Sequence, residues 1–228
     1  MVVLILARGG SKKVPKKNIK LLGDKPTISH VIQEAKKSKL INDIFVSSDC
    51  DEILNISEEN GVKTIKRPIE LSQDLSKDID SFIHALEKIG DVEEIIQLRA
   101  TTPLIDYEIL DKAINYYNLN KFECTSMRSV HETPDSVLKF YRKKDKFLTS
   151  ICENIGESQY SELPRQEVPS TFCPNGYIDI LKPSTFIDGK SFYGNKILSF
   201  ETEFTPEIDT IDDFYYIEYL YNKKISKK

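Results

Sequence analysis

The sequence has few of the side chains that build zinc sites and disulfide frameworks. Its 228 residues include three histidines and four cysteines. The histidines are scattered, which argues against a histidine-based zinc site. No two cysteines have the C-x-x-C spacing; they are Cys50, Cys124, Cys152 and Cys173. We therefore expect reduced thiols in a cytoplasmic protein.

Long hydrophobic runs are also absent. No apolar stretch approaches the ~20 residues of a transmembrane helix, and VVLILA (residues 2–7) is too short for a signal-peptide core. The formal net charge is −4, whereas proteins that bind nucleic acid are usually basic. We expect neither a membrane nor a nucleic acid as partner. With 39% hydrophobic residues, 11 Tyr and 11 Phe, the chain has the composition of a folded protein.

Short hydrophobic segments alternate with amphipathic ones through the first 120 residues. The segments predict strands at Val2–Ala7, Ile44–Ser48, Val62–Ile65 and Glu94–Leu98, and helices at Lys25–Lys37, Asp51–Asn60, Asp78–Ile89 and Ile109–Asn118. This alternation predicts an α/β fold with a mainly parallel sheet and helices on both faces. Ligands of such sheets bind at the carboxyl ends of the strands.

The periodicity weakens further along the chain. We expect a loop around His131, an insertion or arm with β-hairpin character at about residues 140–176, later strands at Tyr177–Ile180 and Lys196–Phe200, and a final helix at Phe214–Tyr221. No internal repeat or second domain is visible, so residues 1–228 are interpreted as a single domain.

The stretch LARGGSKKVPKKN (residues 6–18) follows the first predicted strand. Glycines allow backbone N–H groups to approach an anion, and Arg8, Lys12 and Lys17 would add positive charge. The spacing matches neither GxxxxGK[ST] nor GxGxxG. The stretch is interpreted as a phosphate-binding loop, with a solvated basic turn as the alternative. Asn18 could hydrogen-bond a base or ribose.

Two carboxylates two residues apart, Glu207 and Asp209, face one side of an extended segment. Oxygen ligands without histidine or thiolate suit Mg²⁺, which combines one or two carboxylates with substrate phosphates. The alternative is a solvated or helix-capping pair. Asp212 and Asp213 precede the last predicted helix, where acidic residues are favoured in any case.

Two further stretches could bind a substrate. Arg99 and Thr101 follow a predicted strand in LRATTPL, which is a binding loop or an ordinary one. Arg165 could hold a substrate carboxylate and Asn175 could hydrogen-bond a sugar, although the Asn-Gly pair is above all a turn signal.

Taken together, these motifs resemble the cytidylyltransferases that activate sialic acids and related nine-carbon (nonulosonic) sugar acids. ARGGSKKVPKKN is similar to the family pattern ARGGSKxxPxKN, and SSDCDEI and RPIELSQD to its S[ST]D and RPxxLxxD segments. LRATTPL stands where the family has LQPTSPLR. LPRQEVP and PNGYIDI resemble its PRQ and NG elements, and EIDTIDDF its [DE]IDTxxDF. The matches occur in order over nearly the whole chain.

The resemblance implies a three-layer Rossmann-like nucleotide-diphospho-sugar transferase fold with a small dimerisation arm that reaches into a partner subunit. It also implies the reaction of CTP with a nonulosonic acid to give the CMP-sugar and pyrophosphate, with Mg²⁺ as cofactor. By resemblance, the nucleotide is bound by Ala7, Arg8, Gly9, Gly10, Ser11, Lys12, Lys17, Asn18, Arg67 and Asp74. The sugar is bound by Arg99, Thr101, Arg165, Gln166 and Asn175, and the metal by Glu207 and Asp209. The catalytic assignments are Arg8, Lys17 and Asp209.

The chain departs from the family pattern at three positions. The family often has Gln where Arg99 stands, an arginine where Cys173 stands and Asp where Glu207 stands. The alternatives are a cytidylyltransferase for the eight-carbon sugar acid of lipopolysaccharide and a non-catalytic nucleotide-binding module. A nucleic-acid binder that uses the basic loop is a further, more distant alternative.

Overall fold

The structure, a computed structural model, describes residues 1–152, 160–187 and 191–226. Its strands are β1 (Val2–Leu6), β2 (Leu21–Leu22), β3 (Lys25–Pro26), β4 (Asp43–Ser48), β5 (Lys63–Lys66), β6 (Ile95–Leu98), β7 (Ser126–Glu132), β8 (Tyr141–Lys144), β9 (Phe147–Ser150), β10 (Phe172–Leu181) and β11 (Ile197–Glu201). Its helices are α1 (Thr27–Lys37), α2 (Asp51–Glu59), α3 (Asp78–Ile89), α4 (Tyr107–Asn120) and α5 (Ile211–Ile225). Short 3₁₀ turns include Ile69–Ser72 and Arg165–Glu167.

A seven-stranded sheet in the order β11-β7-β10-β6-β1-β4-β5 forms the centre of the molecule. The pairs β1–β4, β1–β6, β4–β5 and β11–β7 are parallel, whereas β10 runs antiparallel to both β6 and β7. The expected mainly parallel sheet is confirmed. The strand expected at Tyr177–Ile180 lies within β10, but its antiparallel direction and its start at Phe172 were not predicted.

Helices cover both faces of the sheet. Alternate residues of β1 divide between the two cores: Val3 and Ile5 pack with α1, α2 and α4, and Leu4 packs with α3. The period-2 alternation of a strand therefore supplies both layers from one buried segment. The expected α/β architecture with helices on both faces is confirmed.

The second half of the chain differs from the expectation in two places. The expected loop around His131 is strand β7, which lies inside the sheet between β10 and β11. The polar residues of RSVHE gave no hydrophobic strand pattern, although β10 and β11 on either side bury most of this strand. The range predicted as an arm contains the expected hairpin, β8–β9. Its last five residues belong to β10 and extend the central sheet. Residues 153–159 of the predicted arm lie outside the described part.

Candidate active site

The basic loop after β1 is fixed by contacts with the β4–α2 corner. The backbone N–H of Gly9 donates a hydrogen bond to Asp49 Oδ1 at 3.0 Å. A Cβ atom added at Gly9 would lie 2.7 Å from Cys50 Cβ. The loop can approach this corner only because residue 9 has no side chain.

Asn18 closes the loop from its other end. Its side chain is buried, and Nδ2 donates to the Arg8 carbonyl oxygen at 2.9 Å, while its own carbonyl accepts from the Ile28 N–H at 3.0 Å. The hydrogen bond to Arg8 joins the two ends of the loop between Arg8 and Asn18 and fixes its shape. Asn18 also lines the adjacent cavity.

Three cations of the loop point to acidic side chains from distant parts of the chain. Arg8 Nη1 lies 3.0 Å from Asp74 Oδ1, and Lys12 contacts the other oxygen of the same carboxylate. Lys17 Nζ lies 3.3 Å from Asp209 Oδ1 and donates to the Ile208 carbonyl at 3.1 Å. The hydrogen bond from Lys12 and the charge of Arg8 hold the pKa of Asp74 below its ordinary value.

A cavity of about 280 Å³ lies at the carboxyl ends of β1, β5 and β6. The residues that line it include Arg8, Lys17, Asn18, Arg67, Asp74, Asp78, Gln97, Arg99, Thr101 and Glu207. It therefore collects residues from both ends of the sequence at the edge where a sheet of this kind binds ligands. Four of these side chains are basic and three are acidic, so the cavity has a small positive excess, which suits an anionic ligand.

Arg67 is the most deeply buried basic side chain of the cavity, at 4% exposure. Its backbone N–H continues the β4–β5 pairing by donating to Ser48 O, and its Nε donates to Ser72 Oγ at 2.9 Å. Burial lowers the pKa of Arg67, while the carboxylates of Asp49 and Asp78 oppose that shift. A guanidinium fixed in this way can bind a negatively charged ligand without a change of its own conformation.

The segment with Glu207 and Asp209 borders the cavity: Glu207 lines it, and Asp209 contacts Lys17, which also lines it. The Thr101 hydroxyl donates to Glu207 Oε1 at 2.6 Å, and the Ile208 N–H donates to the Thr101 carbonyl at 2.8 Å. The loop after β6 thus fixes Glu207 opposite the basic loop, which contacts Asp209 through Lys17. Within the described residues, no group of three or more His, Cys, Asp or Glu side chains converges as a metal site.

Arg99 lies between two carboxylates on the cavity wall. Its Nη2 is 3.6 Å from Oδ2 of Asp179, which is only 1% exposed. Burial alone would lower the pKa of Arg99, but the charges of Asp179 and Glu207 outweigh it and the pKa is raised. Arg128 and Tyr193 complete the surroundings of the Asp179 carboxylate. Burial, and to a smaller extent the negative charge of Asp179, raises the pKa of Tyr193 to about 12.

Asn175 and Gly176 support the part of the cavity wall that contains Arg99. The Asn175 side chain is buried and donates to Thr202 Oγ1 at 2.6 Å, and its Oδ1 accepts from the Tyr177 N–H at 3.3 Å. Gly176 has a φ of +64°, and a Cβ there would lie 2.7 Å from Arg99 Cδ. The turn that the Asn-Gly pair indicated is therefore wrong: both residues lie inside β10, at its irregular register, and Gly176 leaves room for the Arg99 side chain.

Arg165 and Gln166 are not brought to the cavity. They lie in the turn Arg165–Glu167, are exposed and do not line the cavity of their own chain. Conversely, sequence reasoning missed Ser72, Asp78, Gln97, Arg128, Asp179 and Tyr193. For three of them, Gln97, Asp179 and Arg128, the signal is the strand register that aligns them, and it is non-local.

The fold and the site define an α/β protein with a cationic loop at the carboxyl end of its first strand. A family model described as "Cytidylyltransferase" matches residues 2–158, which is more than half of the chain. The chain therefore belongs to the cytidylyltransferase family.

Relatives with assigned names are similar over most of this chain. The N-acylneuraminate cytidylyltransferase of Streptococcus agalactiae is 29% identical over 95% of this chain and 52% of its own length. The N-acylneuraminate cytidylyltransferase A of Danio rerio is 40% identical over 92% of this chain and 48% of its own length. The chain spans about half the length of the relatives it matches.

Solved structures share the fold. A CMP:2-keto-3-deoxy-manno-octonic acid synthetase complexed with CTP aligns with a TM-score of 0.73 at 16% identity, covering 98% of each chain. A 4-diphosphocytidyl-2C-methyl-D-erythritol synthase from Anaerococcus prevotii aligns with a TM-score of 0.61 at 12% identity, covering 96% of this chain and 97% of its own. At these identities the likeness concerns the fold alone. In residues 1–152, 160–187 and 191–226, no helix combines the length and apolar character needed to cross a membrane.

Proposed function

We propose that this protein transfers CMP from CTP to a nonulosonic acid and releases pyrophosphate. The observation that carries the proposal is the single cavity in which the basic loop meets the Glu207 segment. The relatives named N-acylneuraminate cytidylyltransferase support the choice of substrates.

Charge neutralisation is the main task of the loop in this proposal. Arg8, Lys12 and Lys17 bind the triphosphate, and Arg67 adds a buried positive charge to the cavity that Arg8 and Lys17 also line. The Ser11 hydroxyl is buried and, within the described part of the chain, has no hydrogen-bond partner. It is therefore free to donate to a phosphate oxygen, because an unpaired buried hydroxyl otherwise costs stability.

The anomeric hydroxyl of the sugar acid attacks the α-phosphorus of CTP in line, and pyrophosphate leaves. Little covalent chemistry falls to the protein, so catalysis consists mainly of positioning and electrostatic stabilisation. We propose that Asp209, whose carboxylate is 66% exposed and paired with Lys17, assists the loss of the hydroxyl proton, which passes to solvent.

Glu207 and Asp209 fit the role of magnesium ligands. They provide only oxygen donors, and two carboxylates completed by phosphate oxygens and water are a common magnesium environment. When bound, the ion would neutralise phosphate charge and polarise the reacting oxygens. Lys17 and Thr101, which contact these carboxylates, keep the segment in place.

On the sugar side we propose Arg99, Thr101 and Asn175 from this chain, with Arg165 and Gln166 contributed to the site of a second copy. The proposed homodimer has support in the exposed apolar side chains around the hairpin: Val137, Phe140, Tyr141, Phe147, Leu148 and Phe172. A patch of this kind on a soluble protein commonly marks an interface. Sedimentation velocity of the wild type and of Phe147→Glu would show a dimer and its weakening.

The cysteines and the substrate fit a cytoplasmic location. All four thiols are free in the structure, as expected for a reducing compartment.

Pyrophosphate release tests the proposed activity. We expect Mg²⁺-dependent release that needs both CTP and a nonulosonic acid, in a panel of neuraminic, legionaminic, pseudaminic and deaminated acids. No release with any member would refute it. Tight CTP binding without turnover would favour the non-catalytic module.

The eight-carbon sugar acid is the second candidate substrate. It is considered because a protein that shares this fold is named for that acid, the CMP:2-keto-3-deoxy-manno-octonic acid synthetase. Turnover measured side by side with the eight-carbon acid and the nine-carbon panel decides between the two.

A further inference from the structure

A buried carboxylate lies behind the cavity wall, and nothing in the proposed chemistry uses it directly. Asp179 is 1% exposed. Its Oδ1 is 3.4 Å from Arg128 Nε, and its Oδ2 is 3.6 Å from Arg99 Nη2 and 3.2 Å from the Tyr193 hydroxyl, which donates to it. A buried charge is tolerated only when it is paired and hydrogen-bonded, so these contacts fix it firmly.

The strand register explains why these groups meet. Strand β10 runs between β6 and β7, and Asp179 stands opposite Gln97 on one side and opposite Arg128 on the other. Residues directly opposite each other on antiparallel strands project on the same face of the sheet. Gln97 lines the cavity, so Asp179 and Arg128 continue that row behind the cavity wall.

Arg128 is itself held against an aromatic ring. Its guanidinium carbon lies 4.0 Å from the centre of the Tyr193 ring, an arrangement that stabilises a cation. Arg99 and Arg128 share the single charge of Asp179, so these three side chains keep one positive charge in excess when Glu207, the second carboxylate near Arg99, holds the metal ion proposed for it. Arg99 can therefore be held by Asp179 and still attract an anion.

We propose that Asp179, together with Arg128 and Tyr193, is a positioning device that orients the Arg99 guanidinium on the cavity wall to receive the carboxylate of the acceptor. This inference rests on the proposed function, because it assigns the acceptor side of the same cavity. A cation fixed before binding loses less freedom when the ligand arrives, so the device lowers the cost of binding the sugar acid. It has no comparable role toward CTP, which meets Arg8, Lys12 and Lys17.

The kinetic test compares Asp179→Asn with the wild type, using CTP, Mg²⁺ and the nonulosonic acid that the wild type uses fastest. We expect the KM for the sugar acid to rise roughly tenfold, as for loss of a charged hydrogen bond. The KM for CTP should stay close to the wild-type value, and Asp179→Glu should restore part of the loss. Equal rises in both KM values, or no rise in a folded variant, would overturn the proposal.

Two further variants control the experiment. Tyr193→Phe removes one hydrogen bond to Asp179 and keeps the ring, so it should raise the sugar-acid KM in the same direction by less. It decides the question if Asp179→Asn does not fold. Glu94→Gln is the matched control, because Glu94 is a partly buried carboxylate paired at 3.0 Å with Lys121, at the other end of β6. It should behave as the wild type.

Side-chain NMR tests the positioning without any turnover. The Nε–H signals of Arg99 and Arg128 should exchange faster with water in Asp179→Asn, while that of Arg67, bonded to Ser72, stays unchanged. If the wild type uses no sugar acid, the proposed function fails, and these signals still decide whether Asp179 orders Arg99. Unchanged Arg99 and Arg128 signals in the folded variant would refute the device.

Discussion

Replacing Gly176 by alanine should damage this protein in two separable ways. The first is local, because the backbone at Gly176 has a φ of +64°, in the left-handed region. An L-residue with a side chain pays about 1–2 kcal/mol for that conformation. The second is the collision of the new methyl group with Arg99, whose Cδ and Nε lie 2.7 and 3.0 Å from the Cβ position.

The collision adds its own cost, because Arg99 must leave its place between Asp179 and Glu207. Removing this charged partner, 3.6 Å from the buried Asp179 carboxylate, costs about 1–3 kcal/mol. We therefore expect Gly176→Ala to lower the free energy of unfolding by about 2–5 kcal/mol in total. In the proposed reaction, the sugar-acid KM should also rise roughly tenfold because Arg99 is displaced.

Gly61→Ala is the matched control for the first effect. Gly61 has a similar φ of +71°, but a Cβ there meets only the end of the exposed Lys36 side chain, at 3.2 Å. It should lose about 1–2 kcal/mol and keep its kinetics. Urea unfolding and steady-state kinetics on both variants give the comparison. Equal stability losses and equal sugar-acid KM values in the two would refute the account of Gly176.

Three other substitutions test the basic loop, the acidic segment and the last helix. Lys17→Ala should raise the KM for CTP by roughly tenfold through loss of a charged contact, whereas the exposed Lys13→Ala should not. Asp209→Ala should abolish turnover and keep much of the CTP affinity, measured by calorimetry; near-normal turnover would remove the metal assignment. Thr210→Ala breaks the capping box with Asp213 and should cost about 1 kcal/mol in urea unfolding at neutral pH. Hydrogen bonds from Thr210, which outweigh burial, lower the pKa of Asp213 from 3.8. The stability that these hydrogen bonds add is therefore present above pH 3.8 and is lost as the pH falls through the pKa of Asp213 in the folded protein. The difference in the free energy of unfolding between Thr210→Ala and the wild type should shrink below about pH 3.8.

Local signals predicted the first half of the fold well. The helix Asp78–Ile89 has the expected bounds, and β1, β4, β5 and β6 lie within a residue of their predicted positions. The strands β1, β4 and β6 contain short apolar runs and the helices have an apolar stripe, so the hydrophobic pattern identifies them.

Strand β10 shows where local signals fail. It contains Pro174, Asn175 and Gly176, residues that normally end a strand, and its pairing with β7 shifts register between Pro174 and Asp179. The irregularity lets the strand continue through these residues. The sequence therefore predicted an arm up to Gly176 where the structure extends the sheet.

By itself, the sequence determined the chemistry of the candidate site. It determined that a glycine- and lysine-rich loop follows a buried strand, and that Glu207 and Asp209 are two apart on an extended segment, because both are properties of neighbouring residues. Only the tertiary structure decided that Lys17 contacts Asp209 and that Thr101 contacts Glu207. It also decided that Asp179 stands behind Arg99 and that Arg165 lies away from the cavity of its own chain. These contacts and positions depend on strand register and on how distant segments of the chain pack together. A local sequence pattern does not encode either.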